Sequence, residues 1–184
     1  MILTKSQIKW AQEQGYLDIS DFDEKRLNPN SYNLRLADEL MVYDADALDM
    51  AEDIPVRMIK IQKEGYWIQP GELYLGRTME YTKTPKFVPM LEGRSSGGRL
   101  GLAIHVTAGF GDIGFCGYWT LEIHCIKPTK IYPGVEICQI YYHTVEPDCD
   151  IWIPDDDTIA TYDSGKYQKN TGIQKSMMWK EFEK

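Results

Sequence analysis

The chain opens on a helical signal and then turns to alternation. Thr4-Lys5-Ser6-Gln7 reads as a capping box, with Leu3 and Ile8 placed as a hydrophobic staple and Gly15 as the stop. The polar stretch from Asp18 to Asn30 reads as loop. From Tyr32, apolar residues fall on alternate positions (Tyr32, Leu34, Leu36), the period of a strand with one buried face. Further strands are expected over 40–43, 57–61, 65–68, 73–81, 87–91, 100–106, 118–125, 130–131 and 135–145. Gly or Pro lies at or between most of them, as at Pro70-Gly71 and Pro133-Gly134. This punctuation predicts an all-β domain, a sandwich, jelly roll or distorted barrel, with one short N-terminal helix.

A single domain over residues 1–184 fits the length. The last stretch, 161–184, is polar and Gly-bearing, with cations and aromatics together. It reads either as a tail that closes over an anionic ligand or as an inert terminus, with a short helix over 173–182. The acidic run Asp155-Asp156-Asp157 reads as a solvated loop. A formal net charge of -8 argues against general nucleic-acid binding, which needs clustered cations, and no apolar run is long enough to span a membrane. The four cysteines form no C-x-x-C pair and no signal peptide is evident, so free thiols and a cytoplasmic location are expected.

Candidate chemistry concentrates between Glu92 and Cys125. The turn Arg94-Ser95-Ser96-Gly97-Gly98-Arg99 offers backbone N–H groups, hydroxyls and two cations, a cradle for phosphate or an oxyanion, or simply a turn. The loop that follows the next strand carries one acid, Asp112. In the strand over 118–125, alternation puts Thr120, Glu122 and His124 on one face. Trp119, Leu121, Ile123 and Cys125 occupy the other, which reads as core. Glu122 is therefore either solvated or set in a pocket, where a carboxylate among apolar neighbours can shuttle protons. His105, His124 and His143 share no metal-ligand spacing, and the zinc deaminase signature is absent, so no catalytic zinc is expected.

Three linked motifs decide between these alternatives: E-G-R-S-S-x-x-R-L-G-L, H-V-T-A-G-F-x-D-x-G-F-x-G and T-L-E-I. Together they resemble the dCTP deaminase branch of the dCTP deaminase/dUTPase superfamily, densely over 91–124 and more weakly at 28–36 and 165–168. The resemblance implies a homotrimer with shared active sites that hydrolyses dCTP as its magnesium complex, without zinc, with dTTP a possible inhibitor. Glu122 matches the catalytic glutamate, Ser95 and Arg99 the residues that hold its water, and the Ala108 carbonyl an acceptor for that water. Arg94 and Ser96, in the turn with Gly97 and Gly98, match phosphate contacts donated by a neighbouring subunit. Asp112 matches the acid that reads the 3′-hydroxyl, and the backbone of Thr120 and Leu121 the wall along the base. Tyr162, Lys166 and Asn170 match tail contacts to the nucleotide.

Glu122 favours deamination over simple dUTP hydrolysis, giving dUTP and ammonia as the main expectation. Thr107-Ala108-Gly109-Phe110 resembles the bifunctional members that carry dCTP on to dUMP and pyrophosphate, so Gly109 and Phe110 bear on that alternative. A nucleotide-binding regulatory module without turnover is a second alternative. Two departures stand out. Asn33 occupies a position where the family generally shows aspartate, and Gly111 one where a branched apolar residue is usual.

Overall fold

The computed structural model describes residues 1–145 and 166–183. Helix α1 (Lys5–Glu13) starts as expected, the Gln7 side chain accepting from the Thr4 backbone N–H at 2.9 Å. It ends at Gly15, whose φ of +71° is the left-handed conformation glycine adopts most readily. Ile8 and Ala11 are its buried face.

Twelve strands follow among the described residues. They are β1 (Asp18–Ile19), β2 (Leu27–Asn28), β3 (Ser31–Arg35), β4 (Glu39–Tyr43), β5 (Val56–Lys60), β6 (Tyr66–Ile68), β7 (Tyr74–Lys83), β8 (Val88–Gly93), β9 (Leu102–Ile104), β10 (Cys116–Cys125), β11 (Thr129–Ile131) and β12 (Glu136–His143). One sheet runs β5-β4-β7-β10-β9 with β1 added beside β7, a second runs β2-β3-β12-β8, and β6 pairs with β11. Every strand pairing among the described residues is antiparallel, as the hairpin-like spacing of Gly and Pro requires. The all-β expectation therefore holds. The side chains of Tyr32, Leu34, Leu91, Leu121, Ile123, Ile140 and Tyr142 meet in one core between the sheets.

Four local expectations are corrected. The polar segment 18–30 is not all loop: it holds β1, a 3₁₀ turn (Glu24–Arg26) and β2, because its charged groups are satisfied by partners distant in sequence. The strand expected over 100–106 is cut to β9, because His105 adopts a φ of +55° and turns the chain out of the sheet. The glycine-rich turn is a five-residue helix, α2 (Ser95–Arg99). At the C-terminus the expected helix over 173–182 is reduced to one 3₁₀ turn, Met178–Glu181. Tyr162 and the acidic run at 155–157 lie outside the described residues.

Strand β7 reverses the usual polarity. Thr78, Glu80 and Thr82 face inward and are fully buried, while Met79 on the other face is exposed. Each inward group has a job. Thr78 Oγ1 accepts from the Trp119 backbone N–H at 3.1 Å, and Thr82 Oγ1 accepts from Trp119 Nε1 at 2.9 Å. Glu80 takes Arg26 and Arg35, each at 2.6 Å. A polar row so partnered costs little to bury and fixes where Trp119 stands.

Candidate active site

Strand β10 is the floor of the site. Its burial alternates as the sequence predicts, Trp119, Leu121 and Ile123 entering the core and Glu122 turning the other way. Leu121 contributes only backbone on that side, since its side chain is wholly buried in the core. Glu122 opens into a cavity of about 580 Å³ whose walls include Ala108, Phe110, Asp112, Thr120, Lys166 and Asn170. The structure thus gathers the expected proton-transfer, sugar-reading and tail residues around one space. Phe115 lies over Trp119, ring centroids 4.5 Å apart, and forms an apolar wall.

His105, left without a role by the sequence, stands against Glu122. Its backbone N–H donates to the Glu122 carbonyl at 2.9 Å, and its Nδ1 lies 2.8 Å from Glu122 Oε2. The two side chains are not aligned for a hydrogen bond. Oε2 and both imidazole nitrogens are buried without one. The close approach of Nδ1 to Oε2 sets the imidazole against the carboxylate and keeps both groups at the cavity wall. The left-handed backbone at His105 is what brings the ring back over β10, against the edge of Trp119.

The loop after His105 is pinned to β8. Gly109 accepts from the Leu91 N–H at 2.7 Å, and a Cβ at Gly109 would lie 2.5 Å from the Leu91 carbonyl oxygen. Gly109 therefore sits behind the Glu122 cavity, lining a second one of about 380 Å³ with Phe110 and His105. Gly111 is equally constrained. A Cβ there would fall 2.5 Å from the Trp119 ring and 2.8 Å from Pro89, so the indole occupies the space a branched side chain would need.

The tail docks across the start of β10. Lys169 N–H donates to the Cys116 carbonyl at 2.7 Å, and Gln168 Oε1 accepts from the Cys116 N–H at 3.0 Å. Asn170, which also lines the cavity, commits its amide to the protein. Oδ1 accepts from the Tyr118 N–H, and Nδ2 donates to the carbonyls of Tyr118 and Tyr167. Asn170 is an anchor, seated on Gly117, where a Cβ would meet it at 2.9 Å. Lys166 reaches the cavity and is held by Glu181. Asn170→Ala removes all three anchoring bonds and is expected to free the tail. Limited proteolysis should cut 166–178 faster while the β core keeps its melting temperature; equal cutting rates would exclude the anchor role.

The cation-bearing turn is elsewhere. Arg94, Ser95, Ser96, Gly97, Gly98 and Arg99 line neither cavity, because α2 packs on β9, beyond the cavity wall. The expectation that Ser95 and Arg99 hold a water for Glu122 is not met within one chain. Ser95, Ser96 and Arg99 are exposed, and Arg94 pairs with Glu136. Nearby apolar side chains are exposed as well: Leu100, Val106, Phe110 and Ile126 at 68%, 69%, 68% and 77%. Among the described residues no group of three or more His, Cys, Asp or Glu converges, and no helix is long and apolar enough to cross a membrane.

Residues 2–145 match the family model for dCTP deaminase-like proteins. The chain belongs to the dCTP deaminase-like family. It is 61% identical over 166 residues, 90% of each chain, to a protein of Clostridium beijerinckii named dCTP deaminase, dUMP-forming. A protein of the same name from Hathewaya histolytica is 54% identical over 183 residues, covering both chains in full. Among solved structures, the 2′-deoxycytidine 5′-triphosphate deaminase of Agrobacterium tumefaciens superposes with a TM-score of 0.63 at 20% identity. That match covers 78% of this chain and 48% of the larger one, and it shows the shared fold.

Proposed function

We propose that the protein converts dCTP and two waters to dUMP, ammonia and pyrophosphate. The observation that carries the deamination step is Glu122, a strand carboxylate that lines a nucleotide-sized cavity with Oε2 set against His105. The relatives' names support the dUMP-forming alternative over the expectation that dUTP is the end product. In the first step Glu122 takes a proton from water, whose oxygen bonds to C4 of cytosine. The C4=N3 bond opens and Glu122 delivers that proton to N3; the second water proton then passes to the amine, the C4–N bond breaks as C4=O forms, and ammonia leaves. The Ala108 carbonyl would accept from the same water. In the second step a water oriented by Asp112 attacks the α-phosphate and the bond to the β-phosphate breaks, releasing pyrophosphate. Magnesium enters with the triphosphate, as part of the substrate. Asp112 also suits the 3′-hydroxyl, and Lys166 exchanges Glu181 for phosphate when the nucleotide arrives.

The phosphate turn must come from a second copy of the chain. Two observations support a homotrimer with shared sites: α2 lies outside the Glu122 cavity, and apolar residues flanking it are exposed. In that assembly Arg94 and Ser96 meet the triphosphate, and Ser95 and Arg99 the catalytic water. dTTP, a nucleotide of similar shape, fits the same cavity as an inhibitor, and the cytoplasm is the setting that suits free thiols. The deciding measurement follows all products from dCTP and magnesium. Ammonia, dUMP and pyrophosphate are expected in equal amounts, without accumulation of dUTP. Ammonia with dUTP alone would overturn the second step.

A further inference from the structure

We propose that Asn33 and Glu136 form a built-in anchor that fixes Arg94 for the triphosphate, so that residues touching no nucleotide set its affinity. The inference rests on the reading of Arg94 as a phosphate contact.

The anchor is a relay across three strands. Asn28 Nδ2 donates to Asn33 Oδ1 at 2.7 Å, and Asn33 Nδ2 donates to Glu136 Oε2 at 2.8 Å. The same oxygen lies 3.1 Å from Arg94 Nη1, which also donates to the Glu136 carbonyl at 2.9 Å. Asn33 is buried, with 4% exposure, in the middle of β3. Glu136 opens β12 opposite Arg35, and the ladder shifts register between Glu136 and Cys138. Such an irregularity re-aims a side chain, and here it turns Glu136 towards the end of β8, where Arg94 emerges.

Arg94 thereby commits one terminal nitrogen to the protein. Among the described residues its Nε and Nη2 make no hydrogen bond or ion pair. A guanidinium held by one arm keeps a planar edge free for bidentate contact with phosphate, and loses less freedom on binding than a mobile one. Glu136 opposes the triphosphate by its charge, but it is partly exposed and solvent screens that repulsion. The fixed geometry of the arginine is the larger effect.

The relay also explains residue 33. A neutral amide is needed there because its N–H donates to a carboxylate. Aspartate would set two carboxylates face to face at hydrogen-bond distance, and Glu136 would swing off Arg94.

The test compares wild type with Arg94→Ala, Glu136→Ala, Asn33→Asp and the pairs Asn33→Asp/Glu136→Gln and Arg94→Ala/Glu136→Ala in the full chain. KM and kcat for magnesium dCTP, calorimetric dCTP binding and melting temperature are read for each. Arg94→Ala and Glu136→Ala are each expected to weaken dCTP by about tenfold or more, the scale of a charge-assisted hydrogen bond, with little change in kcat. Asn33→Asp should do the same. Adding Glu136→Gln should restore affinity, since the new amide donates to Asp and its oxygen accepts from Arg94. In an Arg94→Ala background, Glu136→Ala should cost nothing further. Additive losses, or a Glu136→Ala protein that binds dCTP normally while Arg94→Ala does not, would overturn the anchor. If Arg94→Ala itself binds dCTP normally, the phosphate role of Arg94 falls first and takes the anchor with it.

Discussion

Glu122→Gln is expected to release ammonia from dCTP about 10²- to 10⁴-fold more slowly than wild type, the usual weight of a positioned acid–base group. Binding of dCTP should stay within a few-fold, because glutamine keeps the shape and half of the acceptor capacity of the carboxylate. The effect should therefore sit in kcat. Glutamine cannot take the proton from water, so the nucleophile is not formed. The Nδ1 of His105 beside Oε2 adds a structural check: the mutant should retain the same fold, since the backbone bond from His105 to residue 122 does not involve the side chain. Products separate the two half-reactions. If α-phosphate cleavage waits for deamination, the mutant forms neither ammonia nor dUMP. Formation of dCMP and pyrophosphate would show that the second step runs on its own. An unchanged rate of ammonia release would end the catalytic assignment of Glu122, whatever else the protein does.

The catalytic role of Glu122 was legible only through the resemblance of the three linked motifs, whereas its direction was legible from strand alternation. Its neighbours Trp119, Leu121 and Ile123 mark the buried face, so the carboxylate had to point away from the core. The same logic located β3, β4, β8 and β12 to within a residue or two at most ends. It failed where geometry departs from the period. Nothing in H-V-T-A announces that His105 takes a left-handed backbone, folds over the glutamate and ends β9 early. In β7 the alternation is present but inverted, Thr78, Glu80 and Thr82 being the buried set. The readable signal there was a strand whose polar residues recur at every second position, which demands partners inside. Those partners, Trp119, Arg26 and Arg35, lie far along the chain and only the fold brings them in. The anchoring bonds of Asn170 were hidden for a related reason. An amide in a tail has the chemistry to bind a base, and the same chemistry binds the exposed edge of β10 at Tyr118.

Glu80→Ala should be the most destabilising single change in the molecule outside the apolar core. Its side chain is fully buried, and Oε1 holds Arg26 and Arg35 while Oε2 accepts from the Arg35 backbone N–H at 2.8 Å. Arg26 is itself only 8% exposed, so removal of the carboxylate leaves this cation with only the Asp21 carbonyl and the more distant Asp21 carboxylate. Breaking a buried pair in this way costs about 3–5 kcal/mol. At about 2–4 °C per kcal/mol for a domain of this size, the melting temperature should fall by roughly 6–20 °C. Asp21 compensates only in part. It pairs with Arg35, which holds its carboxyl below the usual range, but it is solvent-exposed and 3.7 Å from Arg26. Glu80→Gln keeps acceptors for both arginines and should lose less. The informative variant removes both charges: Arg26→Met with Glu80→Leu should recover part of the loss, since well-packed apolar pairs often match buried ion pairs in stability. Arg35 limits that recovery, because its Nε and backbone N–H both lose Glu80 and only Asp21 is left to it. A double variant as unstable as Glu80→Ala would show that Glu80 acts chiefly through Arg35 and the β3–β7 contact, not through Arg26. Melting curves of the three proteins at neutral pH decide between those two bonds.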